Sequence, residues 1–219
     1  MYWIILISTV LLSLIAQKLL QYRFNKYSQI NIGMSGKEVA EQMLRDNGIT
    51  DVKVVSTTGQ LTDHYNPTNH TLNLSESVYN QYTLAAAAVA AHECGHAVQH
   101  ATSYFWIGLR SRLVPIVSFS NRWVIWVLLA GMIFIESFPN LIWIGIGLYA
   151  ITTLFSFITL PVEVDASRRA VIWLEQAGIT DRETTPMAAE ALRSAAYTYF
   201  VAAITSLAYL LYYIGIARD

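Results

Sequence analysis

The sequence predicts a mainly α-helical integral membrane protein, with about four transmembrane helices and one small α+β unit. Apolar residues make up 54% of the 219 positions and charged residues only 13%, against a usual charged share of about 25%. The apolar residues gather in four blocks, each near the ~20 residues that a helix needs to cross a bilayer. A long polar stretch with capping and turn signals separates the first block from the second. Fourteen Lys and Arg against fifteen Asp and Glu leave a net charge of −1, so no global charge steers a polyanion and nucleic acid is not an expected partner. One cysteine, Cys94, excludes an internal disulfide framework and a cysteine-based zinc knuckle.

Residues 1–20 form the first span, an N-terminal anchor whose first charge is Lys18. No basic residue precedes its apolar run, and Lys18, Arg23 and Lys26 follow it. That is the charge order of a retained anchor with its C-terminal side in the cytoplasm, and not of a cleaved signal peptide. Residues 113–160 form a transmembrane hairpin, whose connecting segment 136–140 has no Lys or Arg. Arg122 lies about one and a half turns inside the second span, where it snorkels, pairs helices or acts as a functional intramembrane charge. Residues 195–219 carry the fourth span, uncharged over 195–217. Arg110 and Arg112 before the second span, and Arg168, Arg169, Arg182 and Arg193 between the third and fourth, place both polar regions inside, with Arg218 alone dissenting.

The first polar region, 21–112, opens with a helix. Ser35 and Glu38 have the capping-box spacing, Val39, Met43 and Leu44 share a face, and Asn47-Gly48 ends it. Residues 52–55 and 71–74 read as short strands, with Asn66, Pro67 and Asn69 marking a turn between them. Ser75 or Ser77 then caps a long helix running to about Thr102.

That helix contains His92-Glu93-Cys94-Gly95-His96. Two histidines four apart project from one helix face, ~6 Å apart, so both imidazoles reach one zinc. Glu93 then lies beside the open position, where it takes a proton from water and passes it to a leaving amine. A bound zinc would lower the pKa of that water towards ~7 and polarise the scissile carbonyl. With five His in the chain, a chance occurrence is on the order of 1 in 100, and the bland alternative is a pair of core or surface histidines. The preceding alanine-rich run is strongly helical, as the motif requires. Cys94 points off the histidine face and reads as a small packing residue.

One zinc per chain needs a third protein ligand. His100 sits two turns, ~12 Å, from His92 and cannot join it on a straight helix. His64 and His70 lie upstream, as surface or substrate-side residues. Glu136 is on the outer side, and Glu175, Glu183 and Glu190 sit among solvated residues. Glu163 and Asp165 stand out. Pro161 ends the third span, and residues 161–194 form cytoplasmic helices that begin with these two acids, which also suit a helix N-terminus. Residues two apart on a helix point about 200° away from each other, so one of them faces the metal. Glu163 shares the small-residue face of Ala166, Ser167 and Ala170 and is the expected ligand. Asp165 faces Arg169 in an i,i+4 pair, or supports a ligand histidine through its free ring nitrogen.

The chain resembles the bacterial neutral zinc metallopeptidases of the YugP-like group over nearly its whole length. The residues that carry the likeness are Gly36, the run Leu61-Thr62-Asp63-His64-Tyr65-Asn66-Pro67, the motif helix through Gln99 and His100, and Pro161 with Glu163, Asp165, Arg168 and Arg169. The resemblance implies a multi-pass peptidase of the bacterial cell membrane, a class assigned by its motif, acting on protein or peptide substrates associated with the bilayer. It also makes the α+β unit a zincin-like catalytic unit at the cytoplasmic face. A more distant similarity is to the integral-membrane gluzincins, the CAAX prenyl protease and the HtpX-like proteases. In those an Asp follows the ligand Glu by four residues. Here the two acids are two apart, which leaves open which takes which role. The same likeness implies a substrate-pairing strand before the motif helix, with His64 and Tyr65 as candidates, and an oxyanion donor, with Arg193, Tyr197 and Tyr199 as candidates.

Three functions compete. The first is a zinc endopeptidase cutting membrane or membrane-adjacent proteins. The second is an intramembrane protease, which needs a longer apolar motif helix and an Asp within a later span. The third is a non-catalytic zinc-containing membrane scaffold or quality-control subunit, for which an intact Glu93 would be superfluous.

Overall fold

The computed structural model describes residues 2–218. Its elements are α1 (Tyr2–Tyr27), α2 (Gly36–Asp46), β1 (Lys53–Thr57), β2 (His64–Asn66), β3 (Thr71–Ser75), α3 (Glu76–Tyr79), α4 (Leu84–Ala101), α5 (Phe105–Ile133), α6 (Asn140–Gln176) and α7 (Thr184–Arg218). Helices α1, α5, α6 and α7 are long and apolar enough to cross a membrane. The small sheet has the order β1-β3-β2, with β1 parallel and β2 antiparallel to β3.

Local chemistry sets the polar unit. The Ser35 hydroxyl accepts from the Glu38 N–H and the Glu38 carboxylate accepts from the Ser35 N–H, closing the capping box of α2, a device worth about 1 kcal/mol. Val39, Ala40, Met43 and Leu44 bury the inner face of α2, and Gly48 follows the helix with φ +69°. Against that face lies α4, whose alanines 85–88, 90 and 91 are buried. Leu72 and Leu74 of β3 and Ala170, Trp173 and Leu174 of α6 complete the same core.

The motif helix begins later than the sequence suggests. Ser75 and Ser77 precede only the short α3, and Thr83 caps α4 by accepting from the Ala86 N–H. The cause is tertiary. Residues 81–84 are held by backbone bonds to 30–36, including Ile32 N–H to Tyr82 O and Leu84 N–H to Ile30 O, so the chain cannot coil there.

A second correction concerns Pro161. It lies inside α6, which runs on without a break to Gln176, so no separate helix starts at Glu163. A helix-interior proline costs about 3 kcal/mol. Burial of Val162, Ala166 and Ala170 on the following face offsets part of that cost, and helix-interior prolines are tolerated in membrane bundles because neighbouring groups can satisfy the freed carbonyl. At 1.5 Å per residue the 37 residues of α6 span ~55 Å, against a hydrocarbon core of ~30 Å. The helix is therefore longer than one crossing needs, and its C-terminal part carries Glu163. Helix α7 likewise starts at Thr184, well before its uncharged run.

Glycines bring the helices together. A Cβ on Gly95 would lie 2.7 Å from the Ala166 carbonyl oxygen, and one on Gly131 would lie 2.6 Å from Ile142 Cα. The first allows α4 to seat on α6 and the second closes the α5–α6 hairpin. Helix α1 is tied to α7 by Arg23 and Glu190, 2.8 Å apart, and by the Tyr27 hydroxyl donating to Glu190. Arg122 faces outward from α5.

Candidate metal centre

Close seating of α4 on α6 brings three ligand atoms together. His92 Nε2 lies 3.4 Å and His96 Nε2 3.7 Å from Glu163 Oε2, and all three lie within 4.8 Å of one another. Tetrahedral donors about 2.0–2.2 Å from a zinc are about 3.3–3.6 Å apart; the two His–Glu distances match this spacing, and a small side-chain adjustment within the 4.8 Å group would close all three on one ion. A further observation agrees. Glu163 Oε2 is buried with no hydrogen-bond partner among the described residues, and its side chain is only 3% exposed. An unpartnered buried carboxylate oxygen is costly unless a cation meets it.

The far side of each imidazole is fixed. Gln99 Nε2 donates to the Val162 carbonyl at 2.8 Å and to Asp165 Oδ2 at 2.9 Å. Its Oε1 therefore accepts from His96 Nδ1–H, 3.1 Å away. That tautomer leaves a lone pair on Nε2 aimed at the shared centre. Ser167 Oγ lies 3.1 Å from His92 Nδ1, where its hydroxyl can accept from that nitrogen in the tautomer that leaves Nε2 free for a metal. Asp165 also accepts from Arg169 Nε at 2.6 Å, the i,i+4 pair expected of it. It stands outside the ligand cluster and reaches His96 through Gln99. Replacing Gln99, which is fully buried, by Leu should lower zinc affinity by about 10–100-fold, measured by competition with a chromophoric chelator.

Beside this centre lies a cleft of about 280 Å³. Asp63, His64, Tyr65 and Pro67 line it from in and around β2, and Arg110, Ser111 and Val114 line it from α5. Tyr199 of α7 also lines it. Glu93 faces the cleft, and its Oε2 accepts from the Tyr65 N–H at 3.1 Å. That bond shows that the Tyr65 amide points away from β3, on the free edge of β2. Asp63 accepts from the Ser75 N–H at 2.7 Å and from its hydroxyl at 3.0 Å, which pins the start of β2. Burial raises the Asp63 carboxyl above its usual range, the Ser75 bonds oppose this, and the Glu93 charge adds to the rise.

The remaining histidines and the cysteine play other parts. The His100 ring packs 5.5 Å from that of Tyr65, and burial, with His96 and Arg110 nearby, lowers its pKa. His70 pairs with Asp51 at 2.6 Å on the surface. Cys94 is buried, its thiol directed at the Ala40 carbonyl, and burial pushes its pKa well up. It is packing between α4 and α2.

Of the sequence candidates, His92, Glu93, His96, Glu163, His64, Tyr65 and Tyr199 share one cleft. Arg193 and Tyr197 do not line it. Arg193 lines a different groove, between α6 and α7, and Tyr197 is exposed, because both lie on other faces of α7 than Tyr199. The residues that sequence reasoning missed are Gln99, Ser167 and Arg110. Arg110 Nη1 lies 3.9 Å from Glu163 Oε1. Gln99 had one signal, an amide three residues beyond His96, within one helical turn of a proposed ligand.

The family model described as "Putative neutral zinc metallopeptidase" matches residues 2–218. The chain is 39% identical over 207 residues to the "Putative membrane protease YugP" of Bacillus subtilis, covering 94% of this chain and 91% of that protein. No solved structure matches the chain.

Proposed function

Because the chain belongs to the neutral zinc metallopeptidase family, we propose that it is a zinc-dependent endopeptidase of the gluzincin type that cuts membrane or membrane-adjacent proteins. One observation carries this reading. The three converging donors, His92, His96 and Glu163, stand beside a carboxylate, Glu93, that is not one of them. A purely structural zinc site has no use for such a group.

His92, His96 and Glu163 would hold the metal, which when bound acidifies a water and polarises a substrate carbonyl. Glu93 takes the water's proton as the oxygen attacks the carbonyl carbon. It then delivers that proton to the amide nitrogen as the C–N bond breaks, so charge and atoms balance. The Tyr65 N–H fixes one carboxylate oxygen and leaves the other for the proton. Strand β2 lies at the edge of its sheet, and an extended substrate would add there, beside His64 and Tyr65. Arg110 and Tyr199, donors that line the same cleft beside Glu163, are suited to hold the carbonyl oxygen. Casein hydrolysis by the purified full chain, stopped by a zinc chelator, tests the reading. Undiminished cleavage after zinc removal would refute it.

The charge pattern of the loops supports placing the cleft on the cytoplasmic side. A cysteine replacing Ser137, in the α5–α6 turn, should react with an impermeant thiol reagent on intact cells. One replacing Asn47, at the end of α2, should react only after lysis. The opposite labelling would put the cleft on the outer face.

A further inference from the structure

A second depression of about 380 Å³ lies between α6 and α7, outside the cleft. Its walls are apolar, with Val164, Val171 and Ile172 from α6 and Leu192 from α7. Ala189 and Ala196 keep the α7 wall low. Val164 and Ile172 are 56% and 41% exposed, and with Val171 and Leu192 they make one continuous apolar surface, the kind of patch that marks a binding groove. Two arginines, Arg168 and Arg193, enter this groove from opposite walls, and no acidic residue lines it. Neither arginine forms an ion pair with another described residue. The nearby carboxylates are engaged elsewhere: Asp165 holds Arg169, and Glu190, whose charge also acts on Arg193, is paired with Arg23 and accepts from Tyr27.

The groove therefore asks for a ligand that is anionic at one point and apolar beyond it. Its position narrows the choice. Arg193 stands two residues before the uncharged run 195–217, where α7 enters the bilayer. From the two arginines, Val164 and Ala196 continue the groove towards the spans. A membrane lipid presents its phosphate at that level and its acyl chain along that line, and basic residues at this depth select anionic lipids.

We propose that this groove is a binding site for an anionic phospholipid, with the phosphate between Arg168 and Arg193 and an acyl chain along Val164 and Ala196. The site touches the metal centre from behind, since Ser167 both lines the groove and lies beside His92 Nδ1. The proposal stands on the membrane reading and not on peptidase activity.

Native mass spectrometry of the detergent-solubilised full chain, titrated with phosphatidylglycerol and separately with phosphatidylcholine, tests it. The expected result is one saturable phosphatidylglycerol, bound about tenfold or more tighter than phosphatidylcholine. The double variant Arg168→Gln/Arg193→Gln should lose that preference, and Arg122→Gln, which changes an arginine on α5, should keep it. Ala196→Leu, which retains both arginines and fills the groove, should also weaken binding. Variants that elute as the native chain on size exclusion make the comparison valid without an activity assay. Equal binding of the two lipids, or unchanged phosphatidylglycerol binding in the double variant, would overturn the proposal. So would a chain dimer dissolved by the same substitutions, because a second copy would then fill the groove.

Discussion

Glu93→Gln should retain zinc at the wild-type level and lose peptide hydrolysis by at least the ~10²–10⁴-fold that a general base contributes. The side chain is nearly isosteric, and its amide oxygen can still accept the Tyr65 N–H that Glu93 Oε2 accepts at 3.1 Å. What it cannot do is take a proton. Glu93 also lies outside the group formed by His92, His96 and Glu163, so its replacement removes no ligand atom. Zinc content by atomic emission and casein cleavage, measured on one preparation, separate the outcomes. Loss of zinc would make Glu93 a ligand or a structural group. Full activity would remove Glu93 from the chemistry, whereas no cleavage by the unmodified chain either, with zinc bound, would leave the scaffold reading standing.

The second large effect lies at α6. Glu163→Ala should purify almost free of zinc, whereas Asp165→Ala should keep most of it. Glu163 contributes the third converging atom, with Oε2 3.4 and 3.7 Å from the two Nε2 atoms. Its removal leaves two imidazoles and an open side, a larger loss than the about 10–100-fold typical of groups behind the ligands. Asp165 acts on His96 only through Gln99, and Gln99 keeps its second anchor on the Val162 carbonyl at 2.8 Å. Bound zinc per chain in the two purified variants decides between the acids. Full zinc in Glu163→Ala with none in Asp165→Ala would exchange their roles.

Much of this was legible from residue spacing, and the failures have physical causes. The capping box at Ser35 and the stop at Asn47-Gly48 are local chemistry, and they form as read. The start of α4 was misplaced because Ser75 and Ser77 are good caps locally, while residues 81–84 are tied to a distant segment, 30–36. Pro161 read as a terminator because its cost is local, and the burial that offsets part of it comes from α4. The grouping of Glu163 with the histidines followed from helix periodicity and the small face of α6, neither of which depends on where the helix begins. Gln99 and Ser167 stayed hidden because a single amide or hydroxyl has no periodic signature. Arg193 and Tyr199 are six residues apart on α7 and looked equivalent, yet they line different cavities. Only the packing of α6 against α7 distinguishes them.

The central claim is that His92, His96 and Glu163 hold the one zinc on which hydrolysis by Glu93 depends. Titrating zinc into the stripped full chain, while following casein cleavage and bound metal together, tests it most directly. The account predicts a rate that rises in proportion to bound zinc, levels off at one ion per chain, and stays at background throughout in Glu163→Ala. Cleavage by the metal-free chain, or one tightly bound zinc with no cleavage, would contradict it.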